Sequence, residues 1–131
     1  MTSCRLPMIG FNNANRLTVQ TLSMHGIYAT AFINGTVPLQ TWTHITMTYS
    51  TSNGIQLFVN GSLVNSNRIL TDYLGGNGFC TITLGSDTLS NSCLSSTVLV
   101  PGQFQGKIDE LKIFSRELSS TEIYQLASFS N

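Results

Sequence analysis

The sequence predicts an all-β fold, either a sandwich or a barrel, on three observations. Ser, Thr and Asn number 16, 16 and 11 of the 131 residues, and these residue types suit strands and turns better than helices. Short runs of alternating apolar and polar residues recur along the chain, and clusters of Ser, Asn and Gly separate them. No helical pattern lies between the early runs, which favours antiparallel strands packed in layers.

The length fits one domain, and the charge balance excludes several classes of function. Lys and Arg together number 6, as do Asp and Glu, and charged residues make up 9% of the chain. Nucleic-acid binding is not expected, because it needs a face of clustered Lys and Arg. Membrane insertion is not expected either, because no stretch of 18 apolar residues is present. If the protein is secreted, its targeting segment lies outside this chain, since the first residues lack the apolar core of a signal peptide.

Two strands are predicted before residue 34. The run from Arg16 to Leu22 places Leu17 and Val19 on one face. After a turn, the run from Ile27 to Ile33 places apolar residues at every second position. Asn34 and Gly35 then end the second strand.

The clearest unit is a hairpin between Trp42 and Gly61. Its two strands each carry three apolar residues on one face, and these would lie opposite each other as the pairs Tyr49–Ile55, Met47–Leu57 and Ile45–Val59. A slip of one residue would mix polar and apolar faces, so the register is well specified.

Two later strands are predicted at Cys80 to Gly85 and Phe104 to Phe114, on either side of a long polar loop. The alternation of the last strand breaks at Asp109–Glu110. One extra residue would repair it, which is typical of a β-bulge. An irregular edge strand explains the break equally well.

A short helix is predicted from about Ser120 to Ala127. Ser119 fits the N-cap and Glu122 its capping-box partner. Leu118 and Ile123 are spaced to form a hydrophobic staple across the helix start.

The cysteines and the N-glycosylation sequons bear on whether the protein belongs to an oxidising, extracellular compartment. Cys80 and Cys93 bracket a predicted strand and a Ser/Asn-rich loop, and a disulfide between them would fit an oxidising compartment. Cys4 would then have no partner in the chain, and three reduced thiols are the alternative. N-x-[ST] sequons begin at Asn34 and Asn60, but Asn-Gly is also the preferred dipeptide of tight turns.

Four segments resemble the laminin G-like, concanavalin A-like domains. They are W-T-H-I-T-M-T-Y from Trp42, L-F-V-N-G-S-L-V from Leu57, I-T-L-G from Ile82, and F-Q-G-K-I-D-E-L from Phe104 with the L-S-x-x-E-I helix after it. The resemblance implies a jelly-roll sandwich of two antiparallel sheets with one short C-terminal helix. Family members usually begin with strands upstream of the position that matches Leu17. Residues 1–131 are therefore interpreted as a single such domain that lacks its N-terminal strands.

Such a shortened jelly roll would have an unpaired sheet edge, because the last strand normally pairs with an N-terminal one. Leu6 to Phe11 can substitute as a short edge strand, with Met8 and Ile9 covering part of the core. Otherwise two chains, or a neighbouring segment of the parent protein, would pair there.

The resemblance also makes Asp109 a candidate calcium ligand, since related sandwiches often hold one Ca²⁺ near the terminal strand. Ca²⁺ takes six to eight oxygens, and the chain has only three Asp and three Glu, so carbonyls would supply most ligands. Alternatively, Asp109 accepts backbone N–H groups at the bulge.

Trp42, His44 and Phe58 are the candidate ligand-binding residues, because they share the face opposite the apolar pairs. An outward aromatic ring can stack on a sugar. Alternatively, Trp42 and Phe58 pack under a crossing loop with His44 hydrogen-bonded nearby, as the W-x-H pair does in the family.

Catalysis is not expected. Glycosidases need two carboxylates that flank the scissile bond, and the E-x-D-x-E strand motif of related sandwiches is absent. The chain also lacks a G-x-S-x-G elbow. The sequence thus favours a non-catalytic extracellular or cell-surface binding module for glycan or protein ligands. The alternative is a structural spacer in a larger multidomain surface protein.

Overall fold

The computed structural model describes residues 8–22, 28–68, 84–85, 99–100 and 102–129. These ranges contain six strands and one helix: β1 (Ile9–Phe11), β2 (Leu17–Leu22), β3 (Tyr28–Phe32), β4 (Ile45–Ser50), β5 (Gly54–Val59), β6 (Ser62–Asn67) and α1 (Ser120–Phe129). The strands form two antiparallel sheets in the orders β1-β2-β3 and β4-β5-β6. The predicted all-β sandwich of the jelly-roll type, with a short C-terminal helix, is confirmed.

The first sheet is built around β2. Leu17 and Val19 of β2 are buried, and Val19 lies opposite Ala31 of β3 on one side and Ile9 of β1 on the other. The N-terminal segment thus forms the expected short edge strand, although it pairs with β2. Met8 and Ile9 remain about half exposed, so they cover less of the core than expected.

The β4–β5 hairpin has the predicted register. Ile45 lies opposite Val59, Met47 opposite Leu57 and Tyr49 opposite Ile55. Ser50 pairs with Gly54, which leaves a loop of three residues between them. Gly54 has a φ of 66°, the left-handed conformation that ends such a loop, and a Cβ there would overlap the Asn67 carbonyl oxygen.

The core lies between the sheets, which are joined along β3 and β6. The buried core residues come from both sheets: Leu17, Val19, Ala29, Ala31, Ile55 and Leu57. Side-chain amides of β6 bond to the backbone of β3: Asn65 Nδ2 donates to the Phe32 carbonyl at 2.8 Å, and Asn67 Nδ2 to the Thr30 carbonyl at 3.1 Å. These amides satisfy carbonyls of an edge strand that has a β-strand partner on one side only.

Helix α1 has the predicted capping box. The Glu122 N–H donates to Ser119 Oγ at 3.2 Å, and the Ser119 N–H donates to Glu122 Oε1 at 3.0 Å. Leu118 and Ile123 are buried together with Phe58, which confirms the staple and packs the helix on the second sheet. The helix continues two residues past the predicted end, to Phe129.

The terminal segment, residues 104–114, is not the predicted strand. Alternation produces a strand only where a neighbouring strand accepts its backbone bonds, and within the described ranges no strand pairs with this segment. At the predicted bulge, Glu110 has a φ of 53°, but a bulge requires a paired strand, and no described strand pairs with this segment. Most of the predicted strand Cys80 to Gly85 lies outside the described residues.

Candidate functional site

The candidate site lies at the end of the second sheet where β4 begins. The His44 N–H donates to Asn60 Oδ1 at 3.0 Å, and the Asn60 N–H donates to the His44 carbonyl at 2.8 Å. Asn60 and Gly61 have φ values of 51° and 84° and form the two-residue turn between β5 and β6. Both bonds hold the start of β4 against this turn, and with it the two residues that precede His44.

Trp42 is held by this arrangement with its side chain 60% exposed. On either side of it, Thr41 Oγ1 donates to the Leu39 carbonyl at 3.2 Å and Thr43 Oγ1 donates to the Thr41 carbonyl at 3.5 Å. Local hydroxyl bonds of this kind stabilise a bent backbone. A large exposed ring on a constrained segment is suited to stacking on a ligand.

His44 is half-buried, and Thr46 Oγ1 lies 3.4 Å from its Nδ1. Burial lowers the pKa of the imidazole, and the positive charge of Lys112 lowers it further, whereas Glu110 acts in the opposite direction. His44 is therefore neutral at pH 7. A neutral imidazole can donate one hydrogen bond and accept another.

Phe58 is buried, whereas Trp42 is exposed and His44 is half-buried. The Phe58 side chain is 3% exposed and packs beneath α1 against Leu118 and Ile123. The packing alternative therefore describes Phe58, with a helix rather than a loop as the cover. Trp42 and His44 lie two residues apart, just before the edge strand β4.

Tyr124 lies against the Asn60–Gly61 turn, a position that the sequence analysis missed. It lies on α1 with its side chain 61% exposed. A Cβ on Gly61 would lie 3.1 Å from the Tyr124 Cα and 3.3 Å from its Cδ2. An exposed aromatic residue of α1 thus lies against the same turn that bonds to His44. No local pattern links residue 124 to residue 61, so the sequence carried no signal for this contact.

Asp109 lies on the exposed terminal segment, and its Oδ1 accepts the Glu110 N–H at 2.8 Å. This matches the alternative interpretation of Asp109. Across the described ranges, no group of three or more His, Cys, Asp or Glu side chains could hold a metal. The donors described here are fewer than Ca²⁺ requires, so calcium binding at Asp109 stays a prediction that depends on oxygens elsewhere.

The structure describes both sequon asparagines but none of the three cysteines. Asn34 and Asn60 are both exposed, and the turn interpretation holds for Asn60, while glycosylation of either stays a prediction. Cys4, Cys80 and Cys93 lie outside the described residues, so the disulfide also stays a prediction.

Comparisons with known proteins show which family and which structure this chain resembles. No curated protein matches the sequence significantly. A segment of an S-layer domain-containing protein from Clostridium thermocellum is similar in structure, with a TM-score of 0.57 and 22% identity over 97% of this chain and 67% of that one. The one helix in the described ranges is too short to cross a membrane. A laminin G family model, described as the concanavalin A-like lectin/glucanases superfamily, matches residues 7–124. This chain therefore belongs to the laminin G-like domains of the concanavalin A-like superfamily.

Proposed function

We propose that this chain is a non-catalytic binding module of an extracellular or cell-surface protein, and that it binds a glycan at the Trp42 end of its second sheet. The observation that carries the proposal is the 60% exposed Trp42 side chain beside the bonded His44–Asn60 pair. The family name includes lectins, and the similar structure belongs to a protein named for a surface layer.

The chemistry of the site suits a neutral polar ligand. The face of an indole ring packs on the apolar C–H face of a pyranose, while the ring N–H can donate a hydrogen bond. Within the described ranges, nothing accepts a bond from the Trp42 indole N–H or the Asn60 side-chain NH₂ group. Sugar hydroxyls can accept from both donors. The zero net charge of the chain gives no reason for a strongly charged ligand.

Binding is favoured over catalysis by the position of the acidic residues. A glycosidase holds two carboxyl groups about 5–10 Å apart on opposite sides of the scissile bond. Asp109 and Glu110 are sequence neighbours on the exposed terminal segment, and Asp109 Oδ1 is occupied by the Glu110 N–H. Asp109 and Glu110 therefore do not form the carboxylate pair that a glucanase, the enzyme class in the family name, would need.

A glycan array, with and without millimolar Ca²⁺, tests the proposal. The unmodified chain and Phe129→Ala should bind the same glycans, because Phe129 is an 87% exposed aromatic at the end of α1 and serves as the matched control. Trp42→Ala should bind about tenfold more weakly or worse, as expected for loss of a central aromatic contact. If Trp42→Ala bound glycans as tightly as the unmodified chain, the glycan site would lie elsewhere on the protein. Silence of the unmodified chain in every condition would favour the spacer alternative, and binding only with Ca²⁺ would support a calcium site.

A further inference from the structure

Asn-Gly pairs are chemically reactive, and the described part of the chain contains such pairs at Asn34–Gly35, Asn53–Gly54 and Asn60–Gly61. A further pair, Asn77–Gly78, lies outside the described residues. In the reaction, the backbone nitrogen of the glycine bonds to the side-chain carbonyl carbon of the asparagine. The glycine N–H proton passes through solvent to the side-chain nitrogen, which leaves as ammonia, and water then opens the cyclic imide to aspartate or isoaspartate. Glycine favours this step because no Cβ shields its nitrogen.

Ring closure makes two demands on the surrounding structure. The asparagine side chain has to turn until its carbonyl carbon lies about 3–3.5 Å from the glycine nitrogen, the distance at which bound groups react. Water must also reach the pair, both to carry the proton and to open the imide. A hydrogen bond that holds the carboxamide elsewhere, or burial of the glycine, therefore slows the reaction.

Asn34–Gly35 meets both demands. The pair follows β3 directly, in a bend outside the described strands. Both residues are exposed, and no atom of the described residues lies within 4 Å of the position that a Cβ on Gly35 would take. Solvent thus reaches the pair, and nothing in the described part of the chain crowds the glycine.

Asn53–Gly54 lies in the β4–β5 loop and is held by contacts. Asn53 Nδ2 donates to Glu117 Oε1 at 2.8 Å, and the Asn53 N–H donates to Ser50 Oγ at 2.9 Å. Gly54 is buried, and a Cβ there would overlap the carbonyl oxygen of Asn67. The carboxamide therefore has to leave Glu117 before it can reach the nitrogen of a buried residue.

Asn60–Gly61 is held in a similar way. Asn60 Oδ1 accepts the His44 N–H at 3.0 Å, and the Asn60 N–H donates to the His44 carbonyl at 2.8 Å. Gly61 is buried, and a Cβ there would lie 3.1 Å from the Tyr124 Cα. Asn60 itself is exposed, so the bonded carboxamide and the buried glycine are what protect this pair.

We propose that Asn34 is a modification site at which the folded chain converts asparagine to aspartate or isoaspartate, and that the fold protects Asn53 and Asn60 from the same reaction. The conversion places a carboxylate within residues 17–67, a stretch without Asp, Glu, Lys or Arg, and the formal net charge of zero becomes negative. It also removes the asparagine of the Asn34 sequon. This inference does not depend on the proposed glycan site.

Ageing of the purified, folded protein in a mildly alkaline buffer tests the proposal. The protein is produced without N-glycosylation, because a glycan would occupy the Asn34 nitrogen that has to leave. Trypsin cleaves after Arg16 and Arg68 and releases all three pairs in one peptide, since residues 17–67 contain no Lys or Arg. Fragmentation of that peptide in a mass spectrometer then gives the three conversion rates side by side.

In the folded chain, Asn34 should convert at least about tenfold faster than Asn53 or Asn60, because each of these has to break a hydrogen bond first. In urea the three rates should become similar, since the protecting contacts are lost. Gly35→Ala should slow conversion at Asn34 alone, because the added methyl group shields the attacking nitrogen. Glu117→Ala removes the acceptor of the Asn53 amide and should speed conversion at Asn53 alone.

Thermal melts verify that each variant is folded at the ageing temperature, and the Gly35→Ala comparison stands by itself if Glu117→Ala unfolds. Conversion at Asn53 or Asn60 as fast as at Asn34 in the folded chain would overturn the proposal, and so would an Asn34 that stays unconverted. An unchanged rate at Asn53 in a folded Glu117→Ala chain would overturn the protective role of that hydrogen bond.

Discussion

At the scale of single residues, Gly61 links the turn of the second sheet to the helix. Its φ of 84° is one that residues with a Cβ rarely adopt. A Cβ there would also lie 3.1 Å from both the Ala127 Cβ and the Tyr124 Cα. The absence of a side chain thus permits both the tight turn and the close approach of α1.

Gly61→Ala should lower the free energy of unfolding by about 1–3 kcal/mol, from left-handed strain together with displacement of α1. Gly35→Ala is the control, because a Cβ there would contact nothing within 4 Å and should change stability by less than about 0.5 kcal/mol. Urea denaturation measures both. Equal stability of the two variants would mean that the helix does not depend on this contact.

At the scale of elements, the start of α1 is stabilised by an exposed ion pair as well as by its capping box. Arg116 Nη2 lies 2.6 Å from Glu122 Oε2, and Arg116 Nη1 donates to Glu122 Oε1 at 3.0 Å. The hydrogen bond from Arg116, followed by that from the Ser119 backbone, lowers the pKa of Glu122 from 4.5 to about 2. The pair is open to solvent, so its effect should be modest and weaker at high salt.

A carboxylate with a lowered pKa in the folded state stabilises the protein above the pKa of the unfolded chain. This stabilisation should therefore be complete above about pH 4.5 and should be lost as the pH falls towards 2. Glu122→Gln keeps a residue type that fits the capping box but removes the titration. Melting temperatures between pH 6 and pH 2 should fall less steeply for this variant. Parallel curves for the two proteins would contradict the role of Glu122.

At the scale of the whole molecule, the two sheets are held together by their shared core and by the amides of β6. Asn65 and Asn67 lie on the edge strand of one sheet and donate to carbonyls on the edge strand of the other. This contact closes one side of the sandwich. On the other side, directly after the edge strand β1, Asn12 forms an isolated bridge with Leu99.

Asn65→Ala should reduce the free energy of unfolding by about 1 kcal/mol, because the partly buried Phe32 carbonyl would lose a hydrogen bond. Ser66→Ala on the same strand changes an exposed side chain and should have little effect. Chemical denaturation of both variants provides the measurement. A loss no greater than that of Ser66→Ala would mean that the Asn65 amide does not help to join the sheets.

The sequence by itself determined the features that depend on neighbouring residues. The β4–β5 register follows from the alternation of side chains, since a slip of one residue would expose Met47 and Leu57. The capping box of α1 and the Asn60–Gly61 turn are likewise built from residues within one or a few positions. Trp42 and His44 could be assigned to one site for the same reason, as they are two residues apart.

Only the tertiary structure decided which faces are covered and by what. Leu57 and Phe58 point to opposite faces of β5, yet both are buried, because the first sheet covers one face and α1 covers the other. The same helix brings Tyr124 to the Asn60–Gly61 turn, a contact between residues far apart in the chain. The terminal segment has the alternation of a strand but not the form of one, because a strand requires a neighbour to bond to, and local sequence cannot supply that neighbour.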